Sequence, residues 1–294
     1  MAIRVSEQSR LSDHVSFLQN AEQALNKVQQ QLSTGRQVNV PSDDPQGTSR
    51  SMGYRRDMAF ETQMRRNIDG GVAFMNATDS ALSSASDVIQ RARELAVEGA
   101  NSTNSQSGRN AMAIEVDQLL QQMVQIANTS FAGAYIFSGQ KTDQPAYTTT
   151  GVPITAVTYQ GDSGQRIRQI SQQSSIPINI TGPQAFSNVF QDLITLRDNL
   201  TSGTNINASI GSLDKDIDGV LAARAQIGAQ TNAFTDASRR SEQRDTDLQQ
   251  LRASIEDVDV SQAIVDLTAR QNQLQAAMGA IGHSVDLTLL NFIR

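Results

Sequence analysis

Leu11, Leu18, Leu25 and Leu32 recur every seven residues, with His14, Ala21, Val28 and Gly35 three places after each. Positions that step by three and four predict one helix with a narrow apolar seam, and Gly35 is a natural stop for it. Residues 36–41 end in Val40-Pro41 and predict an extended segment, because proline disfavours helix in the residue before it. Asp44 and Pro45 then restart the helix as N-cap and first helical residue.

From there to about Gly99 a second seam runs through Ile68, Met75, Leu82, Ile89 and Ala96, with Gly71, Thr78, Ala85 and Ala92 at the +3 positions. Small residues there predict close approach of a partner helix. Gly70-Gly71 predicts a weak point or kink, since each glycine costs roughly 1 kcal/mol against alanine. Residues 101–108 are turn-rich, and a shorter helix follows with Met112, Val116, Leu119, Met123 and Ile126 on one face.

The helical period vanishes between about Tyr135 and Pro183, a window holding four of the six prolines. Residues 154–159, 166–170 and 176–180 are the strand candidates. Helix returns with Phe186, Phe190, Leu193, Leu196 and Leu200 on one short element. Ile210, Leu213, Ile217, Val220, Ile227 and Phe234 lie on a long one, whose seam turns polar over 238–247 before Leu248, Leu251 and Ile255. The last segment steps three and four throughout: Ile264, Leu267, Gln271, Leu274, Met278, Ile281, Val285, Thr288 and Phe292.

This order predicts a mainly α fold with a small β-rich insertion, an elongated helical rod whose termini form a coiled coil at one end. The domains expected are a terminal coiled coil (1–43 and 256–294), a helical rod (44–134 and 184–255) and a β-rich domain (135–183). Each terminal helix carries a stripe that one partner helix cannot cover. The candidate assembly interface is therefore Leu11, Leu18, Leu25, Leu32, Ile264, Leu267, Leu274, Met278, Ile281, Val285 and Phe292.

Composition narrows the function classes. Aromatics are 4% of 294 residues and tryptophan is absent, which suits seams closed by Leu, Ile, Val and Ala rather than a thick core. With 24 basic and 30 acidic residues the net charge is −6, and no basic block reverses it locally, so nucleic acid is not an expected partner. Cysteine is absent, which excludes disulfides, thiol nucleophiles and Cys-rich zinc sites. The opening residues carry no apolar run of signal-peptide type, and no stretch approaches the ~18 apolar residues of a membrane span.

Two motifs suggest chemistry and are better read as structure. Gly161-Asp162-Ser163-Gly164 matches the surroundings of a serine-protease nucleophile, but the only histidines, His14 and His283, lie in the terminal helices; a tight turn suits these residue types. Asp214-Lys215-Asp216-Ile217-Asp218-Gly219 copies the first half of an EF-hand loop, but the twelfth position is Ala225 where a glutamate is required. No catalytic residue, cofactor or metal site is expected.

Leu32-Ser33-Thr34-Gly35-Arg36-Gln37-Val38-Asn39 followed by Asp43-Asp44-Pro45 resembles the N-terminal signature of flagellins and flagellin-like proteins. Arg93-Glu94-Leu95-Ala96-Val97 and the turn after Asn101 look like the helix and turn of that family, and Ile255-Glu256-Asp257-Val258-Asp259 is similar to its C-terminal signature. Within the family, Gly133-Ala134-Tyr135-Ile136-Phe137-Ser138-Gly139, Tyr159-Gln160-Gly161-Asp162 and Pro45 resemble the hook-associated branch that joins hook to filament.

The resemblance implies a structural, non-enzymatic protein of the bacterial flagellum, exported without a cleaved signal through the type III channel to an extracellular position. It implies terminal helices packed around a central channel and a β domain facing outward. The partners implied are further copies of the chain in a ring, hook-associated protein 1, flagellin, and an export chaperone holding the C-terminal helix. A flagellin filament subunit is the alternative within the family, and an intracellular coiled-coil scaffold the alternative outside it.

Overall fold

The computed structural model describes the backbone of residues 2–101 and 103–292, and side chains over 12–282 apart from 102. The described residues are mainly α, with six short strands in a β-rich insertion. They fall into two compact units, Met1–Phe60 with Arg244–Arg294, and Glu61–Gln243.

In the first unit, helix α1 (Ala2–Thr34) stops at Gly35, whose φ of 68° is the left-handed conformation glycine adopts freely. Helix α7 (Val260–Phe292) packs along α1. The two run antiparallel, because the end of α1 is stitched to the start of α7. Arg36 and Asp257 form an antiparallel bridge, the Gln37 amide donates to the Glu256 carbonyl at 2.7 Å, and the Val258 amide donates to the Gly35 carbonyl at 3.0 Å.

Helix α2 (Pro45–Gly99) opens as its sequence predicts, with Asp44 Oδ1 accepting from the Gly47 amide at 2.9 Å. Its first turns meet the last turn of helix α6 (Ile206–Glu256) through one ionic node. The Arg55 guanidinium donates from Nη2 to Glu256 Oε1 and Oε2, both at 2.8 Å, and the Ser51 hydroxyl donates to Oε1. Burial pushes the Glu256 carboxyl up. The hydrogen bonds from Arg55 and Ser51, with the charges of Arg55 and Arg36, outweigh burial and hold it below the usual glutamate value.

In the second unit α2 and α6 also lie side by side and antiparallel. Arg93 Nε pairs with Asp214 at 2.5 Å, Arg224 Nε with Asp79 at 2.9 Å, and the Ser241 hydroxyl donates to Glu61 at 2.7 Å. The helix continues unbroken through Gly70 and Gly71. The two glycines serve different ends. A Cβ on Gly71 would lie 2.5 Å from the buried Phe234 ring, whereas one on Gly70 would meet nothing within 4 Å.

Helix α3 (Gln106–Ala127) is capped by the Ser105 hydroxyl, which accepts from the Gly108 amide at 3.1 Å. Its buried face is Met112, Ala113, Val116, Leu120, Met123 and Ala127, whereas Leu119 and Ile126, expected on that face, are half-buried at its flank. Ala113 and Ala127 add little to a hydrophobic pattern, yet their size is what lets the helix turn this face inward.

The insertion holds three separate antiparallel pairs rather than one sheet: β1 (Ser130–Phe131) with β2 (Ala134–Tyr135), β3 (Tyr147–Thr150) with β4 (Ala156–Tyr159), and β5 (Ile167–Gln169) with β6 (Ser175–Pro177). The sequence reading anticipated β4, β5 and β6 with longer bounds and missed the other three. Two residues are too short for any periodicity to register, and the β1–β2 turn depends on Ala132 and Gly133 at φ 51° and 80°, a geometry alanine rarely signals. The single helix expected from Phe186 to Leu200 is two, α4 (Gly182–Phe186) and α5 (Val189–Ser202). Ser187 at φ 28° separates them, while the 186-to-190 spacing reads as helical in either case.

Aromatic side chains are scarce but gathered. Tyr147 packs against Tyr159 (5.2 Å between ring centres) and Phe190 (4.6 Å), and Phe186 against Phe137 (4.7 Å). These contacts fasten the β3–β4 pair onto α4 and α5.

Opposite outcomes are expected at the adjacent glycines. Gly71→Ala should lower the stability of the second unit by about 1–3 kcal/mol through the clash with Phe234, and Gly70→Ala should raise it by about 0.5–1 kcal/mol through helix propensity. Thermal unfolding of the two variants checks this; equal shifts of the same sign would refute the close-approach account. At the ionic node, Glu256→Gln should cost about 1–2 kcal/mol at neutral pH, less than a sealed pair because Arg55 is half exposed and screened by water. The folded carboxyl titrates below its unfolded value, so this stability is present above the ordinary glutamate range and is lost as pH falls beneath it. Acid unfolding of the wild-type chain should therefore be steeper below about pH 4.5 than that of Glu256→Gln, measured by circular dichroism.

Candidate assembly interface

The terminal helices hold the residues the heptads single out. On α1, Leu18, Leu25 and Leu32 are half-buried, as are His14, Ala21 and Val28 between them, so the predicted stripe is a true helix face. On α7 the stripe turned toward α1 runs through Ala263, Leu267, Leu274, Ala277 and Ile281. Ala263 and Ala277 each stand one residue before the predicted Ile264 and Met278, and between Leu267 and Leu274 no residue is even half-buried. Ala263 and Ala277 are 5% and 9% exposed, while Ile264 and Met278 stand 52% and 51% exposed on the flank. The alanines lie inward because a two-helix contact closes most tightly over small side chains. The side chains of Leu11, Val285 and Phe292 lie outside the described residues.

The pair leaves considerable apolar surface uncovered. Val260, Val265, Ile264 and Met278 on α7, with Val15 and Phe17 on α1, are all about half exposed or more. Among the described residues, no leucine or isoleucine of either stripe is fully buried. A surface of this kind, repeated at helical spacing, is suited to receive further helices.

The loop that ties α1 to α2 is built around two acids. Asp43 pairs with Lys27 Nζ at 2.9 Å and accepts from the Asn39 and Val40 amides at 3.2 Å each. The Lys27 hydrogen bond, then those amides, hold its carboxyl below the usual aspartate value. Asp44 caps α2. The sequence flagged both acids and Glu256 as signature residues, but not the partners of Glu256, which lie 201 and 205 residues away along the chain.

The two motifs with a chemical look resolve into structure. Asp162 accepts from the Gln140 and Gly164 amides, both at 2.8 Å, and these bonds draw its carboxyl below the usual range. Its carboxylate is the centre of a turn, with Ser163 exposed beside it. Residues 214–219 are wholly helical, and their acids diverge: Asp214 reaches Arg93, Asp216 turns into the core, and Asp218 faces solvent. Among the described residues no group of three or more His, Asp or Glu is placed to hold a metal ion, and no helix is long and apolar enough to cross a membrane.

The profile of the bacterial flagellin N-terminal helical region matches residues 5–142, and that of the bacterial flagellin C-terminal helical region matches residues 210–293. The chain is 25% identical to flagellar hook-associated protein 3 of Escherichia coli K12, over 98% of each chain. It is 26% identical to the flagellar filament 30.7 kDa core protein of Treponema maltophilum, over 87% of this chain and 86% of that one. The crystal structure of flagellar hook-associated protein-3 from Legionella pneumophila shares the fold, with a TM-score of 0.61 at 15% identity over 68% of this chain and 96% of the other. Helical regions of both flagellin types, in the expected order on either side of a short β-rich insertion, leave one conclusion: the chain belongs to the bacterial flagellin family of structural flagellar proteins.

Proposed function

We propose that this chain joins the flagellar hook to the flagellin filament, assembling with copies of itself through α1 and α7. The observation that carries the reading is the half-covered stripe of the terminal helices, a surface that needs partners of its own kind. Similarity to a hook-associated protein 3 along nearly the whole of both chains supports the junction over other places in the flagellum. A filament subunit is the second reading, favoured by the comparable likeness to a Treponema filament core protein.

On the first reading the neighbours are hook-associated protein 1 on the hook side and flagellin on the filament side. An export chaperone would cover the α7 stripe before secretion, and the protein would work outside the cell. Leu18, Leu25, Leu32, Leu267, Leu274 and Ile281 line the seam, while Ile264 and Met278 extend it toward neighbouring copies. On this reading the β-rich domain faces outward from the assembly.

A strain lacking the gene should carry bare hooks and shed flagellin monomers into the medium, read by electron microscopy and by fractionating the culture. Full-length filaments on that strain would overturn the junction reading, and loss of flagellin itself would favour the filament subunit. Leu274→Asp combined with Ile281→Asp should abolish incorporation at the hook tip while leaving the second unit's thermal transition in place.

A further inference from the structure

Helices α5 and α6 form an antiparallel hairpin closed by Gly203 in the left-handed conformation. Two polar pairs bridge it at the same heptad spacing. Near the turn, the Asn199 side-chain amide donates to the Ser209 hydroxyl at 2.9 Å. Seven residues further along each helix, the same register sets Asp192 of α5 opposite Asp216 of α6, near enough for each carboxyl to act on the other. Asp216 is 6% exposed, in the apolar seam between Leu213 and Val220, and its Oδ2 is sealed from solvent with no N–H or O–H of the chain within reach.

Two arginines nearby are paired with other acids, Arg93 of α2 with Asp214 and Arg197 of α5 with Asp117 of α3. Lys215 favours the charged form of Asp192, while the Asp216 carboxyl stays raised by burial and by Asp192. Two carboxylates cannot remain in contact in such a place, since one would be buried unpaired and both would repel. One proton between them satisfies both, and it can come only from solvent.

We propose that Asp192 and Asp216 share a single proton that latches α5 to α6, making the second unit of this protein a pH-sensitive element that tightens on acidification. Burial first, then the Asp192 charge, pushes the Asp216 carboxyl up to about 7; burial raises Asp192 as well. A carboxyl whose folded value exceeds its unfolded one stabilises fully below the unfolded value and loses that effect as pH climbs through the folded one. The window therefore runs from the ordinary aspartate range up to about 7. Both histidines, His14 and His283, belong to the first unit, so the second has no imidazole to titrate in that window. The direction is opposite to that of the Arg55–Glu256 node, which weakens in acid.

The test is amide hydrogen exchange of the full chain followed across residues 189–220, with protection corrected for the intrinsic pH dependence. Wild-type protection should rise by up to about tenfold per pH unit between roughly pH 7 and pH 5. Asp216→Asn should flatten that dependence and leave α5 and α6 better protected than wild type at about pH 8. Protection that is flat with pH in wild type, or an unchanged slope in Asp216→Asn, overturns the proposal. Should Asp216→Asn fail to fold, carbon-13 NMR of the wild-type Asp216 carboxyl decides: titration above about pH 6 supports the latch, and titration in the ordinary aspartate range overturns it.

Discussion

Close approach of α2 to α6 and to α5 is the constraint on which the second unit depends. A chain this poor in aromatics cannot fill wide gaps between helices, so the helices must come together until small side chains touch. Gly71 admits the Phe234 ring, Gly99 sits against Leu200, and Ala85, Ala92 and Ala96 are sealed in the same face. Dispersion attraction falls off within an ångström of added separation, so every position where a neighbour presses on a glycine is also one where contact would be lost if the helices parted. The bulky residues that the chain does have are concentrated where helix gives way to strand. There Phe137, Tyr147, Phe186 and Phe190 fill the irregular space that helical ridges cannot.

Much of this was legible in the sequence because heptads report a face directly. The Gly35 end of α1, the Asp44–Pro45 start of α2 and its end near Gly99 follow from spacing and capping residues alone, whereas the kink expected at Gly70-Gly71 is absent. The errors come from a few blind spots. A hydrophobic pattern weighs large apolar residues and passes over small ones, so it placed Ile126 and Ile264 inward where Ala127 and Ala263 lie. It also ignores single-residue changes in φ, which is why Ser187 and Ala132 escaped it. The Arg55–Glu256 node lay beyond reach for another reason: residues two hundred positions apart carry no local signal of each other.

Apolar heptads alone would leave the register of these helices poorly specified, since sliding by one repeat again places leucine against leucine. The polar residues in the seam remove that freedom. Ser209, Asp216, Ser241 and Asp245 occupy inward positions of α6, and Thr78, Ser86 and Glu61 inward positions of α2. Displacing α5 on α6 by one heptad would bring Asp192 to Ser209 and leave Asp216 buried without its partner. An unpaired buried carboxyl costs several kcal/mol, far more than the shift would gain. The seam's polar residues give up some hydrophobic stabilisation and make one alignment of the hairpin the favourable one.

The two units divide these tasks differently. In the second, large side chains such as Ile68, Met75, Leu82 and Phe234 are fully sealed by the chain itself. In the first, among the described residues, the seam between α1 and α7 buries only alanines completely, and its leucines remain partly open. Few buried polar pairs discipline that seam; the Gly35–Val258 and Gln37–Glu256 backbone bonds fix it at one end instead. An interface anchored at one end and apolar along its length suits repeated association, because further helices can add to the exposed flank without breaking a specific internal partner. The same residue classes therefore produce a closed core in one place and an open surface in another. The difference lies in whether enough helices surround the stripe to cover it.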